Sequence, residues 1–282
     1  MNAKRGENAT SPSAPEGLTR APGKGAASWL LLLVFSGLLG AWLWLTPPGF
    51  VGKLSALGYA VCHQIPAHSF LLGGQQFPLC ARCTGLYLGA MISLGFHFTQ
   101  GREGLFPRWP QMATLALFLL AFLGDGINSF SQLIPGFSPL YPPGNGLRLA
   151  TGLGVGLGVG AVFVPAFNQS VWASFEQQAV WASPRQAVLA GGWVALGGLA
   201  VVSEVPALQA ISLAVSGLGV FVVLSLVYTL AMVLLLRKAN TFRRWRELGL
   251  PALAGATLAL LQISLFSLLR YGLTLSLGGL NL

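Results

Sequence analysis

Apolar residues along this chain fall into long runs parted by short polar turns. Runs of this kind cover residues 28–46, 84–99, 111–127, 147–167, 186–203, 211–236 and 248–269. About 20 apolar residues in helical form cross the hydrocarbon core of a bilayer. The pattern therefore predicts an all-α, polytopic transmembrane helix bundle of about seven spans. Residues 47–61, "PPGFVGKLSALGYAV", are apolar but too short to span, and they open with two prolines. They suit a segment lying in the interface or dipping back into the protein.

Composition agrees with the pattern. Of the 282 residues, 54% are hydrophobic and only 8% charged, against roughly a quarter charged in soluble domains. Residues 1–27 are rich in Pro, Gly, Ala, Ser and charge and read as a disordered, solvent-exposed tail. The run at 28–46 reads as a retained helix, because its leading tail is long and no small-residue cleavage site follows it. The expected organisation is a tail at 1–27, a first span at 28–46, a membrane core at 47–167 and an extension of three further spans at 168–282.

The net charge of +9 would suggest nucleic acid in a soluble protein. Here the cations cluster at the ends of apolar runs, where they set topology, so no nucleic-acid partner is expected. With a cytoplasmic amino terminus, twelve cations lie inside: Lys4, Arg5, Arg20, Lys24, Arg102, Arg108, Arg185, Arg237, Lys238, Arg243, Arg244 and Arg246. Four lie outside: Lys53, Arg82, Arg148 and Arg270. That asymmetry obeys the positive-inside rule. It predicts a multi-pass protein of the inner (cytoplasmic) membrane, with the loop before residue 84 facing outward.

In the fourth run, "TGLGVGLGVGAV" sets Gly152, Gly156 and Gly160 on one helical face, with Gly154 and Gly158 beside it. Small residues four apart let helix backbones approach closely. No strand precedes them, so the likeness to a nucleotide-binding glycine fingerprint is incidental.

Chemistry concentrates in "CHQIPAHSFLLGGQQFPLCARCTG", which holds all three cysteines of the chain and two of its three histidines. Pro78 cannot continue a helix from upstream, so a helix is expected to begin near Ala81–Thr84. Thiols at a helix amino terminus meet unpaired N–H groups, and Arg82 adds a full charge; both favour thiolates. One reading is a Cys3His metal site of Cys62, Cys80 and Cys83 with His63 or His68, a donor set suited to zinc. A second is a Cys80–Cys83 redox pair, and a third a structural disulfide or packed thiols. His97 is expected to lie at the interface. A second polar group gathers on the same side. Asp125 and Asn128 end the third run, and Asn145, Arg148 and Thr151 start the fourth. A charge near hydrocarbon needs a partner, which predicts an Asp125–Arg148 pair; Glu204 reads as a solvated loop residue.

The segments "CHQIPAHSF", "GGQQFPLCARCTGLYLG", "DGINS" and "NGLRLATG" resemble the signature of a family of prokaryotic membrane proteins known as a domain of unknown function. The resemblance covers about residues 58–160. Carried over, it marks Cys62, His63, Gln64, Ser69, Phe70, Gly74, Gln76, Pro78, Cys80, Arg82, Cys83, Thr84 and Gly85. Further along it marks Asp125, Asn145, Arg148, Thr151 and Gly152. Ala67-His68 departs from it, since a charged residue is expected before the serine. The resemblance implies membership without an activity. The expectation from the residues is an outward Cys/His site holding zinc or a similar metal. Beside it would lie a polar wall of Gln64, Gln76, Arg82, Asp125, Asn128, Asn145 and Arg148, open to a small anionic or lipid-linked substrate. A thiol-disulfide oxidoreductase, a transporter or enzyme for such a substrate and a membrane assembly factor are the competing readings.

Overall fold

Each apolar run is a helix in the computed structural model, which describes residues 24–131, 138–203 and 205–276. The order is α1 (Lys24–Leu45), α2 (Phe50–Tyr59), β1 (Ser69–Leu72), β2 (Gln75–Cys80), α3 (Ala81–Thr99), β3 (Glu103–Leu105), α4 (Trp109–Ser131) and α5 (Asn145–Val171). Then follow β4 (Glu176–Ala179), α6 (Pro184–Val202), α7 (Pro206–Leu235) and α8 (Gly249–Thr274). Most of the expected amino-terminal tail, Glu204, and the cations Lys4, Arg5 and Arg20 lie outside the described residues. The first helix begins at Lys24, four residues before the expected boundary.

Among the described residues six helices are long and apolar enough to cross a membrane: those containing α1, α4, α5, α6, α7 and α8. α3 is the exception, and its position explains why. It sits at the centre, packed on α5, α7 and α6, so its neighbours rather than lipid solvate it. Thr84 and Ser93 are fully enclosed, and the Ser93 hydroxyl donates to the Leu157 carbonyl at 2.9 Å. Outer helices instead present leucines, valines and tryptophans outward, among them Trp29, Leu33, Leu120, Val188, Leu199 and Leu268. In water that surface would aggregate; in a bilayer it meets its own kind.

The expected glycine face makes the central contact. α3 and α5 run parallel, with Gly85 and Gly89 of α3 against Gly152, Gly156 and Gly160 of α5. A Cβ at Gly152 would strike the Arg82 carbonyl, and one at Gly156 the carbonyl of Leu86 and the amide of Ala90. Gly154 and Gly158 face the other way and receive Phe118 and Leu115 of α4. One glycine-rich helix thus cements both neighbours.

The bundle has two distinct ends. At one, β1 and β2 form an antiparallel hairpin joined by Gly73-Gly74, whose φ values of 55° and 82° suit the mirror-image turn that two-residue hairpins prefer. α2 lies across β2, and at Gly58 a Cβ would meet the Pro78 carbonyl. At the other end β3 and β4 pair in parallel. There Phe167, Val171, Trp172, Phe242 and Leu248 form a separate apolar cluster, with the Arg102 guanidinium 4.0 Å over the Trp172 ring.

Candidate functional site

The hairpin end holds the chemistry. β2 runs straight into α3, so Cys80 becomes the residue capping α3 at its amino terminus, with φ −64° and ψ 161°, and Cys83 falls on its first turn. Cys62 arrives from the other direction, in the turn that ends α2, where its N–H donates to the Gly58 carbonyl at 2.8 Å. The Sγ atoms of Cys62, Cys80 and Cys83 all lie within 4.8 Å of one another, and all three cysteines are free thiols.

Two backbone amides point at the Cys62 sulfur: that of Gln64 at 3.5 Å and that of Cys80 at 3.2 Å. Such N–H···S bonds favour negative charge on sulfur. Hydrogen bonds from Cys62 and Cys83 hold the Cys80 thiol far below the ordinary range, with the Cys83 backbone N–H and Arg82 adding to the effect. The Cys62 thiol is pushed up, because it bonds the Cys80 sulfur and is buried.

The rest of the expected polar wall splits into braces and a cavity. Gln64 adopts a left-handed φ of 54°, and its Nε2 donates to the carbonyls of Ser55 (2.9 Å) and Pro78 (2.7 Å). Gln76 Nε2 donates to the Gln64 carbonyl at 2.8 Å and to Ser69 Oγ at 3.0 Å. Asn128 accepts from the Leu140 amide at 2.7 Å and donates to the Tyr141 carbonyl at 3.0 Å, fixing the segment that leads to α5. These three side chains hold backbone in place and are spent on it.

His63 and His68 stand outside the ligand-spaced group, contrary to the Cys3His expectation. They line an adjoining cavity of about 60 Å³ with Ile65, Cys80, Arg82 and Arg148. Burial pushes the His68 imidazole below its ordinary pKa, and the Arg148 charge lowers it further.

Asp125 does not pair with Arg148. Its partner is Arg82, whose Nε and Nη2 both reach Oδ2, the former at 3.2 Å. Arg82 Nη2 also reaches the Asp125 carbonyl at 3.1 Å and Ser129 Oγ at 3.0 Å. The other carboxylate oxygen accepts from the Tyr141 hydroxyl at 3.1 Å. The parallel packing of α3 on α5 carries Arg82 to the end of α4, where two guanidinium N–H groups on one oxygen and the Tyr141 hydroxyl on the other satisfy a buried carboxylate better than a single contact would. Arg148 is left with Asn145, whose Oδ1 accepts from Nη1 at 2.9 Å. Asn145 Nδ2 in turn reaches the carbonyls of Ala67 and Ser69.

Two further residues carry weight that the sequence did not signal. Arg270, near the end of α8, donates to the carbonyls of Tyr59 (2.8 Å), Cys62 and His63 (3.0 Å), clamping the turn that carries Cys62. At the far end His97 is enclosed by protein. It is 1% exposed, as is Glu103, with Nδ1 3.7 Å from Oε2.

A bundle of apolar helices around α3, with three thiols gathered at one end, defines a multi-pass membrane protein bearing a three-cysteine cluster. A family model described as predicted membrane protein (DUF2085) matches residues 62–162. An uncharacterised protein of Methanothermobacter thermautotrophicus is 37% identical over 99 residues, 35% of this chain and 80% of that protein. An uncharacterised protein of Methanocaldococcus jannaschii is 27% identical over 124 residues, 44% of this chain and 74% of its own. The chain therefore belongs to the DUF2085 family of predicted membrane proteins. No solved structure matches it. The match spans the hairpin, α3, α4 and most of α5, while the Arg270 clamp comes from beyond it.

Proposed function

We propose that Cys62, Cys80 and Cys83 together hold a soft metal ion, zinc by preference, in a DUF2085 core embedded in the membrane. The observation that carries this reading is the convergence of three free sulfurs within 4.8 Å. Tetrahedral zinc with Zn–S bonds of about 2.3 Å needs sulfurs about 3.8 Å apart, a small contraction from that limit. Thiolate ligands suit zinc and exclude the harder calcium and magnesium. The setting also supplies what a thiolate site requires: N–H donors to sulfur, a helix amino terminus and two neighbouring guanidinium groups. A fourth coordination position would face the cavity that Cys80 shares with His63 and His68.

Elemental analysis of the purified protein tests this. About one zinc per chain is expected, falling to background in a Cys80→Ser/Cys83→Ser variant. Metal-free wild type carrying a Cys80–Cys83 disulfide would overturn the proposal in favour of the redox or structural readings.

The cysteine end is read as extracytoplasmic. Among the described residues from Ser28 onward, eight cations sit at the far end (Arg102, Arg108, Arg185, Arg237, Lys238, Arg243, Arg244 and Arg246) and four at the cysteine end, the asymmetry typical of cytoplasmic against outer faces. Single cysteines placed at Leu71→Cys and Arg243→Cys in a cysteine-free background measure it. A membrane-impermeant maleimide should label the first in intact spheroplasts and the second only after lysis; the opposite pattern contradicts this orientation.

A further inference from the structure

We infer that the cavity beside the thiols is a binding site for a phosphate group, held chiefly by Arg148. Arg148 is 4% exposed. Its Nε is buried without a hydrogen-bond partner, and among the described residues no carboxylate forms an ion pair with it. A guanidinium sequestered from water and left short of acceptors is penalised unless an anion completes it. The cavity is where that anion fits.

Its lining supplies donors from three separate parts of the fold: His63 and His68 from the loop, Arg82 from α3 and Arg148 from α5. Among the described residues no Asp or Glu lines it. The nearby Asp125 carboxylate is engaged by Arg82 and Tyr141. Among the described residues Cys80 is the only acidic group on the wall, and a divalent ion on the three sulfurs would neutralise two of the three thiolate charges. Donors converging from several directions match a tetrahedral oxyanion better than a planar one. The volume of about 60 Å³ admits one such group and excludes a nucleotide.

Two sources of phosphate suit the surroundings. His63 also lines an open apolar groove of about 470 Å³, bounded by Tyr59, Phe266, Leu269 and Leu273. A lipid phosphate could lay its chain in that groove and its headgroup in the cavity, whereas free phosphate would enter from the water.

Binding is measured by isothermal titration of the full-length protein in detergent, with inorganic phosphate and, separately, short-chain phosphatidate. Saturable binding of either is expected, weakened about tenfold or more in Arg148→Gln, as for loss of a charged hydrogen bond, and less in Arg148→Lys. Binding of both ligands identifies free phosphate as sufficient. Binding of phosphatidate alone identifies a lipid headgroup. Absence of binding by both, or binding unchanged in Arg148→Gln, overturns the inference. Should Arg148→Gln fail to fold, His68→Gln serves instead, with a several-fold loss expected and unchanged affinity counting against the site. Zinc content is measured on the same samples, so a protein that keeps its metal but binds no phosphate refutes this inference alone.

Discussion

Replacing Gly156 by valine is expected to leave no folded protein in the membrane. The contact between α3 and α5 is backbone on backbone, and a Cβ at this position would overlap the Leu86 carbonyl and the Ala90 amide well inside van der Waals contact. Flexible side chains can move aside, but helix backbone cannot without parting the two helices. Overpacking in ordinary cores costs about 1–3 kcal/mol, and this position lacks the relief those sites have. Gly95 and Gly191 provide the control, since nothing lies within 4 Å of a Cβ at either. Gly95→Ala and Gly191→Ala should accumulate like wild type. Monodisperse yield after detergent extraction separates the cases, and a Gly156→Val protein with normal yield and thermal midpoint would refute the packing described for α3 and α5.

Asp125→Asn is expected to produce the next largest loss. The carboxylate is 1% exposed, while Arg82 is 20% exposed, and the pair ties the end of α4 to the start of α3. Removing one member of a buried pair typically costs about 3–5 kcal/mol, because the other is left uncompensated. Partial access of water to Arg82 places this case near the lower end. Replacing both, as Arg82→Met with Asp125→Leu, should recover most of the loss, since well-packed apolar pairs often equal buried ion pairs. Thermal unfolding in detergent measures all three proteins. Equal destabilisation in the single and double variants would mean that Arg82 serves the fold by some route other than Asp125.

The membrane-crossing helices were legible because the bilayer imposes a length and an apolar composition that few other structures share. α3 shows the limit of that signal: shielded by its neighbours, it can carry Arg82, Ser93 and His97, and its run is the shortest. The glycine face of α5 was readable from spacing alone, but its counterpart, Gly85 and Gly89, was not, since two glycines four apart occur in many helices. The hairpin escaped notice because its strands are short and "GGQQ" reads as loop. Asp125 and Arg148 looked like partners because they bracket one turn in sequence. The parallel packing of α3 on α5, a property of the whole bundle, gave Asp125 to Arg82 instead. The three cysteines were legible as a set, but the histidine expected to complete it as a ligand stands outside the ligand-spaced group. Which of these atoms converge depended on where α2 crosses β2. Nothing local could announce that Arg270, 208 residues from Cys62, would clamp the cysteine turn.

The central claim is that three sulfurs share one metal ion, and X-ray absorption at the zinc edge of the purified protein tests it most directly. The account predicts a shell of about three sulfur scatterers at about 2.3 Å, completed by a nitrogen or oxygen at about 2.0–2.1 Å. Zinc surrounded only by nitrogen and oxygen, or protein with no zinc at all, would contradict it.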